Sequence, residues 1–279
     1  PLFLMISGAL FLDEERNITL QGIFSKNIKA LAIVTILWAA IYAGIYNVLS
    51  PLLTGNPINV RAIAVGILQG HYHMWYLYMI IGLYLITPVL RKFVCKENKR
   101  MVLYFIAVSF AVQFLLPLAD KICIHYLQED FIGIFVEKFH LDFFGGYITY
   151  FLAGWYSVHI GIKKKQTTYI LYSLGVVSLV LMFLYVQFTG DFAYGYSNTG
   201  VPVFLYSVSV FLALNHMKIQ AKEKTAKIVT TLSKLTFGVY LIHPLVLAVF
   251  SKVLPYSKHS AVYIPMSFVA VACGSFLCS

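Results

Sequence analysis

The 279-residue chain is 60% hydrophobic and only 11% charged, whereas soluble domains run nearer 45–50% apolar and about 25% charged. A water-soluble core cannot absorb that much apolar surface, so the lipid bilayer is the natural solvent. The formal charge of +10 would suggest a nucleic-acid partner in a soluble protein. Here its distribution excludes that partner and reports topology instead.

The first apolar run is about 12 residues long and stops at Asp13-Glu14-Glu15. A spanning helix needs about 20 residues, so this run reads as the second half of a helix whose start precedes Pro1. Its Ser7-Gly8 pair is a small-residue contact of the kind that lets helices approach closely. Eight more apolar runs follow, near 30–50, 72–90, 101–119, 143–160, 169–189, 200–217, 235–254 and 261–279. None contains Asp, Glu or Arg, and none alternates with the period of a strand. Helices satisfy every backbone polar group inside lipid, and a β-barrel would show alternating segments of about ten residues. The expected fold is therefore all-α. It is a polytopic transmembrane helix bundle with about nine spans, the first partial, of about ten in the parent protein.

Sixteen of the 21 Lys and Arg residues fall in alternate loops, 13–29, 91–100, 161–168 and 218–234, and five fall on the other side. The positive-inside rule makes the basic set cytoplasmic. The longest outer loop, 120–142, mixes apolar and polar residues. It reads either as an amphipathic helix at the outer interface or as an ordinary packed loop.

Chemistry is sought where polar groups enter apolar spans, because burial in lipid makes each of them costly. His243 lies near the middle of 235–254, followed by Pro244, which removes a backbone donor and frees a carbonyl near the ring. A histidine there suits general acid–base work, or it is a neutral ring bonded to a neighbouring helix. His71 and His73 stand at the outer mouth of 72–90. Two histidines two residues apart can ligate a metal from a loop, but no third ligand of suitable spacing is evident, and no metal is expected. Trp75 and Tyr76 read as interfacial aromatics or as a platform for a sugar acceptor. Lys26 and Lys29 share a helix face at the inner surface, suited to phosphates or to lipid headgroups. Lys163-Lys164-Lys165 carries the same two readings, and His159 and His216, at span ends, read as structural. Cys95, Cys123, Cys273 and Cys278 make no CxxC pair and read as small apolar fillers.

Taken in order, several of these strings resemble blocks of the acyltransferase 3 family. Phe3-Leu4-Met5-Ile6-Ser7-Gly8 is similar to the family's Phe-Phe-x-x-Ser-Gly stretch, with Leu4 in place of the second Phe. Lys26-Asn27-Ile28-Lys29 stands where the family has Arg-x-x-Arg. His73-Met74-Trp75-Tyr76-Leu77 followed by Leu83-Tyr84-Leu85-Ile86-Thr87-Pro88, then Tyr150-Phe151-Leu152-Ala153-Gly154, then Gly238-Val239-Tyr240-Leu241-Ile242-His243-Pro244, resemble later blocks. The resemblance implies that residues 1–279 are a single integral membrane acyltransferase domain, lacking the first helix and part of the second. It implies acetyl-CoA as acyl donor, bound by Lys26 and Lys29, and a carbohydrate or other hydroxyl as acceptor, bound near His73, Trp75 and Tyr76. His243 is then a candidate catalytic group, with the principal base in the preceding helix. A solute or polysaccharide transporter is the alternative; the paired, broken helices of many transporters are not evident.

Overall fold

The computed structural model describes residues 1–129, 131–141, 146–162, 165–217, 222–253 and 260–278. Among the described residues every regular element is helical. In chain order they are α1 (Leu2–Phe11), α2 (Leu20–Thr54), α3 (Val60–Gln69), α4 (Trp75–Phe93), α5 (Lys99–Leu127), α6 (Phe131–Lys138) and α7 (Ile148–Trp155). Then come α8 (Lys165–Thr189), α9 (Val201–His216), α10 (Glu223–Val253) and α11 (Ser260–Cys278). Five helices among the described residues are long and apolar enough to cross a membrane, and shorter apolar helices accompany them. The all-α membrane fold expected from composition is the fold observed.

Two elements extend past their expected limits. Thr19 caps α2, its Oγ1 accepting from the Gly22 N–H at 3.0 Å, so the helix starts ten residues early and carries Lys26 and Lys29 within it. Helix α10 begins at Glu223 rather than near 235, its first turns supported by the Glu223–Lys227 pair at 2.7 Å. Within 120–142, α5 runs on to Leu127, and α6 leaves Phe131, Ile134 and Phe135 exposed, as is Phe139 just past its end.

Four π-helical turns occur among the described residues: Ile23–Ile28 and Ile45–Leu49 within α2, Ala111–Leu115 within α5, and Tyr156–Ile160 directly after α7. Two have a readable cause. Pro51 and Pro117 have no N–H for the carbonyls of Asn47 and Gln113 four residues earlier, and their rings would collide with those carbonyls. Widening the ladder by one residue relieves the conflict.

The chain divides into two compact units, residues 1–30 with 79–218 and residues 31–78 with 219–279. In the first, α1 lies against α7 at backbone contact. A Cβ on Gly8 would stand 1.8 Å from the Phe151 carbonyl oxygen, and one on Gly154 would stand 2.0 Å from that of Met5. Leu4, Met5, Tyr150, Phe151 and Trp155 fill the surrounding core. Helix α8 packs on α9 with Gly175 admitting the Ser209 side chain.

Past the end of α1, Arg91 gathers carbonyls that have left the helical ladder. Its guanidinium donates to the oxygens of Phe11 (2.7 Å), Asp13 (2.8 Å) and Arg16 (2.8 Å). The His159 Nε2 donates to Ala9 O at 2.9 Å, and Glu14 and Glu15 take the backbone and side chain of Lys96. Segments 13–16 and 91–96, which the charge count puts on one side, are thus in contact. Elsewhere in the same unit Lys121 pairs with Asp191 at 2.9 Å, and the Tyr150 hydroxyl donates to Asn198 O at 2.8 Å.

Candidate active site

The second unit holds a cluster of three histidines and several tyrosines. Its geometry starts at Gly70, which ends α3 at φ +69° with its N–H on Gly66 O. A left-handed residue is needed to stop the helix there, and glycine adopts that conformation without a Cβ penalty. A Cβ would in addition press on the Tyr78 ring, 3.0 Å from its hydroxyl. The chain then turns through a single 3-10 turn, Tyr72–Met74, into α4. That turn places the rings of His71 and His73 side by side, Nδ1 to Nδ1 at 2.9 Å.

The two rings have different surroundings. His71 is half-buried and lies flat on Tyr42, centroids 4.3 Å apart at 17°, and on Tyr46 at 5.2 Å and 16°. Tyr46 belongs to the π-helical turn below Pro51. His73 is only 6% exposed. Its ring meets Tyr42 at 5.2 Å, His243 edge to face at 5.3 Å and Tyr240 at 5.4 Å. Its Nε2 has no hydrogen-bond partner among the described residues. An orphaned buried polar atom costs about 1–3 kcal/mol, so its retention calls for a physical reason.

His243 is oriented by the proline that follows it. In an unbroken helix the N–H of residue 244 would donate to the carbonyl of Tyr240; Pro244 has none. The vacant carbonyl is taken by His243 Nδ1 at 2.8 Å. A carbonyl only accepts, so Nδ1 carries the proton, and the neutral ring keeps its lone pair on Nε2. Two further bonds hold the helices together: the Tyr42 hydroxyl donates to Leu241 O at 2.8 Å, and the Tyr240 hydroxyl donates to His73 O. Beneath them Ala39, Tyr42, Met74, Leu77 and Leu241 form a buried apolar base.

Of the site residues expected from sequence, the structure brings His73, Tyr76 and His243 together. Tyr76 meets Tyr240 edge to face at 5.9 Å, and Trp75 stands against Tyr76 at 6.2 Å. Ser7, Gly8, Lys26 and Lys29 lie in the other unit. Gly8 makes the close helix contact expected of it. Lys26 and Lys29 are exposed, three residues apart, and no acid pairs with either among the described residues. Lys163 and Lys164 lie outside the described residues. His159 caps α1, and His216 bonds the Tyr172 hydroxyl at 3.0 Å.

Sequence reasoning left His71, Tyr42, Tyr46 and Tyr240 without roles in the site. Faint signals were present: Tyr42 and Tyr46 stand four apart on an apolar helix, and Tyr240 stands three before His243. His243 also supplies the third histidine that local spacing lacked. The rings meet edge to face, however, and among the described residues no three His, Cys, Asp or Glu side chains are grouped to hold a metal.

A lone-pair nitrogen fixed by a backbone carbonyl, an orphaned imidazole nitrogen beside it, and tyrosine faces around both suit proton handling on a hydroxyl compound. The acyltransferase 3 profile, an acyltransferase domain, matches residues 1–279. The chain belongs to the acyltransferase 3 family. No curated protein and no solved structure matches it. This acyltransferase is thus a multi-pass membrane enzyme of acyl transfer, and its histidine cluster stands on two of the strings that carried the resemblance.

Proposed function

We propose that this acyltransferase moves acetyl from cytoplasmic acetyl-CoA to a hydroxyl of a cell-envelope carbohydrate or related acceptor, in the inner or plasma membrane. Loops 13–29, 91–100, 161–168 and 218–234 face the cytoplasm in this reading. The observation that carries it is His243. Its Nδ1 is spent on a carbonyl that Pro244 vacates, which leaves Nε2 with a fixed lone pair beside His73. In the transfer, the acceptor oxygen attacks the thioester carbonyl carbon, the C–S bond breaks, and the proton from the hydroxyl ends on the CoA sulfur. His243 Nε2 is a second acceptor lining the site; it takes a hydrogen bond from a neighbouring hydroxyl of the acceptor and so orients the reacting oxygen. His73, Trp75 and Tyr76 flank the acceptor, since aromatic faces suit sugar rings. Lys26 and Lys29 suit the phosphates of CoA as exposed point charges, without the bidentate fork an arginine would bring. Family membership favours this reading over the transporter.

The test uses the full-length protein in membranes with labelled acetyl-CoA, following label into the carbohydrate fraction. His243→Ala should abolish transfer while folded protein persists, and the Lys26→Gln, Lys29→Gln double variant should raise the acetyl-CoA KM severalfold. Unchanged turnover in the first removes the catalytic role of His243, and an unaltered KM in the second reduces the lysines to headgroup anchors.

A further inference from the structure

We infer that His71 and His73 form a two-histidine proton relay, in which His73 Nε2 takes the proton of the acceptor hydroxyl and His71 stores the charge. The inference rests on the acyl-transfer reading. It assigns the proton-accepting step to a pair of this chain's own residues.

Three observations point to it. The first is the Nδ1–Nδ1 contact of 2.9 Å. Two imidazole nitrogens can bond only if one carries a proton and the other a lone pair. The shared proton therefore sets the polarity of the opposite edge of His73. With the proton on His73 Nδ1, its Nε2 is a lone-pair acceptor; with the proton passed to His71, its Nε2 is a donor.

The second is that His73 Nε2 is the orphaned atom. His73 is only 6% exposed, and the nitrogen has no partner among the described residues. Its position beside the Nε2-basic ring of His243 and the Tyr240 face suits a hydroxyl group of a ligand.

The third is the setting of His71. A proton arriving there makes an imidazolium, and a cation is favoured over aromatic faces. His71 lies flat against Tyr42 and Tyr46 and is half-buried rather than enclosed. The buried ring thus makes the contact while the stacked, more accessible ring carries the charge.

The step balances as follows. The acceptor O–H proton passes to His73 Nε2 as the oxygen attacks the thioester carbonyl carbon, and the His73 Nδ1 proton passes to His71 Nδ1. The C–S bond breaks with its electron pair on the sulfur of CoA. The proton held on His71 then returns by way of His73 to that thiolate, leaving ester and free CoA. His73 is the catalytic residue of the pair, and His71 is its positioning partner.

The test compares wild type, His71→Phe and His71→Gln in the full-length protein, with labelled acetyl-CoA and the carbohydrate acceptor fraction. Phenylalanine keeps a ring to stack on Tyr42 and Tyr46. Glutamine keeps a hydrogen bond to His73 Nδ1. Neither takes up a proton. Both should lower kcat by roughly 10²-fold, the lower end of acid–base contributions, with both KM values within about twofold of wild type. A ring serving only as packing would leave the phenylalanine variant active. Retained kcat in either folded variant overturns the relay and leaves the acyl-transfer reading standing. Absence of transfer in wild type overturns that reading and the relay with it.

Discussion

Alanine in place of Gly154 and alanine in place of Gly44 should shift stability in opposite directions, although both glycines lie in helices. At Gly154 the added Cβ would stand 2.0 Å from the Met5 carbonyl oxygen and 2.5 Å from Met5 C and Cα. Ordinary contact begins near 3.4 Å, so α1 and α7 would have to part by about 1.4 Å. The colliding atoms are backbone and cannot rotate away. Separation would also loosen the reciprocal contact at Gly8 and the dispersion contacts of Leu4, Met5 and Phe151. We place the cost near 3 kcal/mol, the upper part of the usual overpacking range. At Gly44 nothing lies within 4 Å of the added Cβ, and alanine gains about 0.5–1 kcal/mol of helix propensity. The assay is thermal unfolding of the purified protein in one detergent, followed by circular dichroism at 222 nm. At roughly 2–4 °C per kcal/mol for a chain of this size class, Gly154→Ala should melt roughly 6–12 °C below wild type and Gly44→Ala at or above it. If Gly154→Ala melts with or above Gly44→Ala, the two backbones do not touch and the α1–α7 packing described here is wrong.

Arg91→Lys keeps the charge but can serve only part of the three-carbonyl set, so we expect a loss of about 1–3 kcal/mol, read in the same melting assay; an unshifted midpoint would show that the loop carbonyls find water instead. Pro244→Ala restores an N–H that competes with His243 for the Tyr240 carbonyl. Helix stability should rise, by up to about 3 kcal/mol on propensity, while acyl transfer falls, and equal turnover would contradict the orienting role of the proline. The Tyr194 N–H, with Lys121 and the Tyr185 hydroxyl, holds the Asp191 carboxyl below the usual carboxylate range. A depressed pKa contributes stability that is present above the unfolded value and lost as pH falls through the folded one. The stability gap between wild type and Asp191→Asn should therefore be flat down to about pH 4 and narrow below it; a gap constant to pH 3 would remove the linkage. Finally, a cysteine replacing exposed Lys99 in a cysteine-free background should resist an impermeant thiol reagent in intact cells, and labelling there would invert the proposed topology.

The parts of the fold readable from sequence are those set by solvent. Lipid demands long apolar helices, and these are written residue by residue in composition. The close contact at Gly8 was readable too, because only small residues admit a second backbone. What the sequence did not disclose depends on backbone accounting across distance. Helix α2, capped by Thr19, starts ten residues before its apolar run. Arg91 found its acceptors 75 to 80 residues away. His71 had no role in the sequence reading, which expected no metal; the turn after Gly70 lays it on Tyr42 and against His73. Pro244 was a legible sign of a freed carbonyl, but the sequence could not say that His243 itself would take it.

The π-helical turns have a consequence for how this protein tolerates change in length. Each accommodates one residue more than the ladder around it, so a one-residue deletion at Ile45–Leu49 or Ala111–Leu115 can be absorbed by tightening the turn to α. The helix would remain whole, and side chains beyond the turn would keep their faces, because the widened turn had already absorbed the extra residue. The change would fall on the side chains inside the turn, Tyr46 among them, which would move relative to the His71 face while hydropathy and helix content stay almost untouched. Loss of function by that route would be invisible to any comparison of composition.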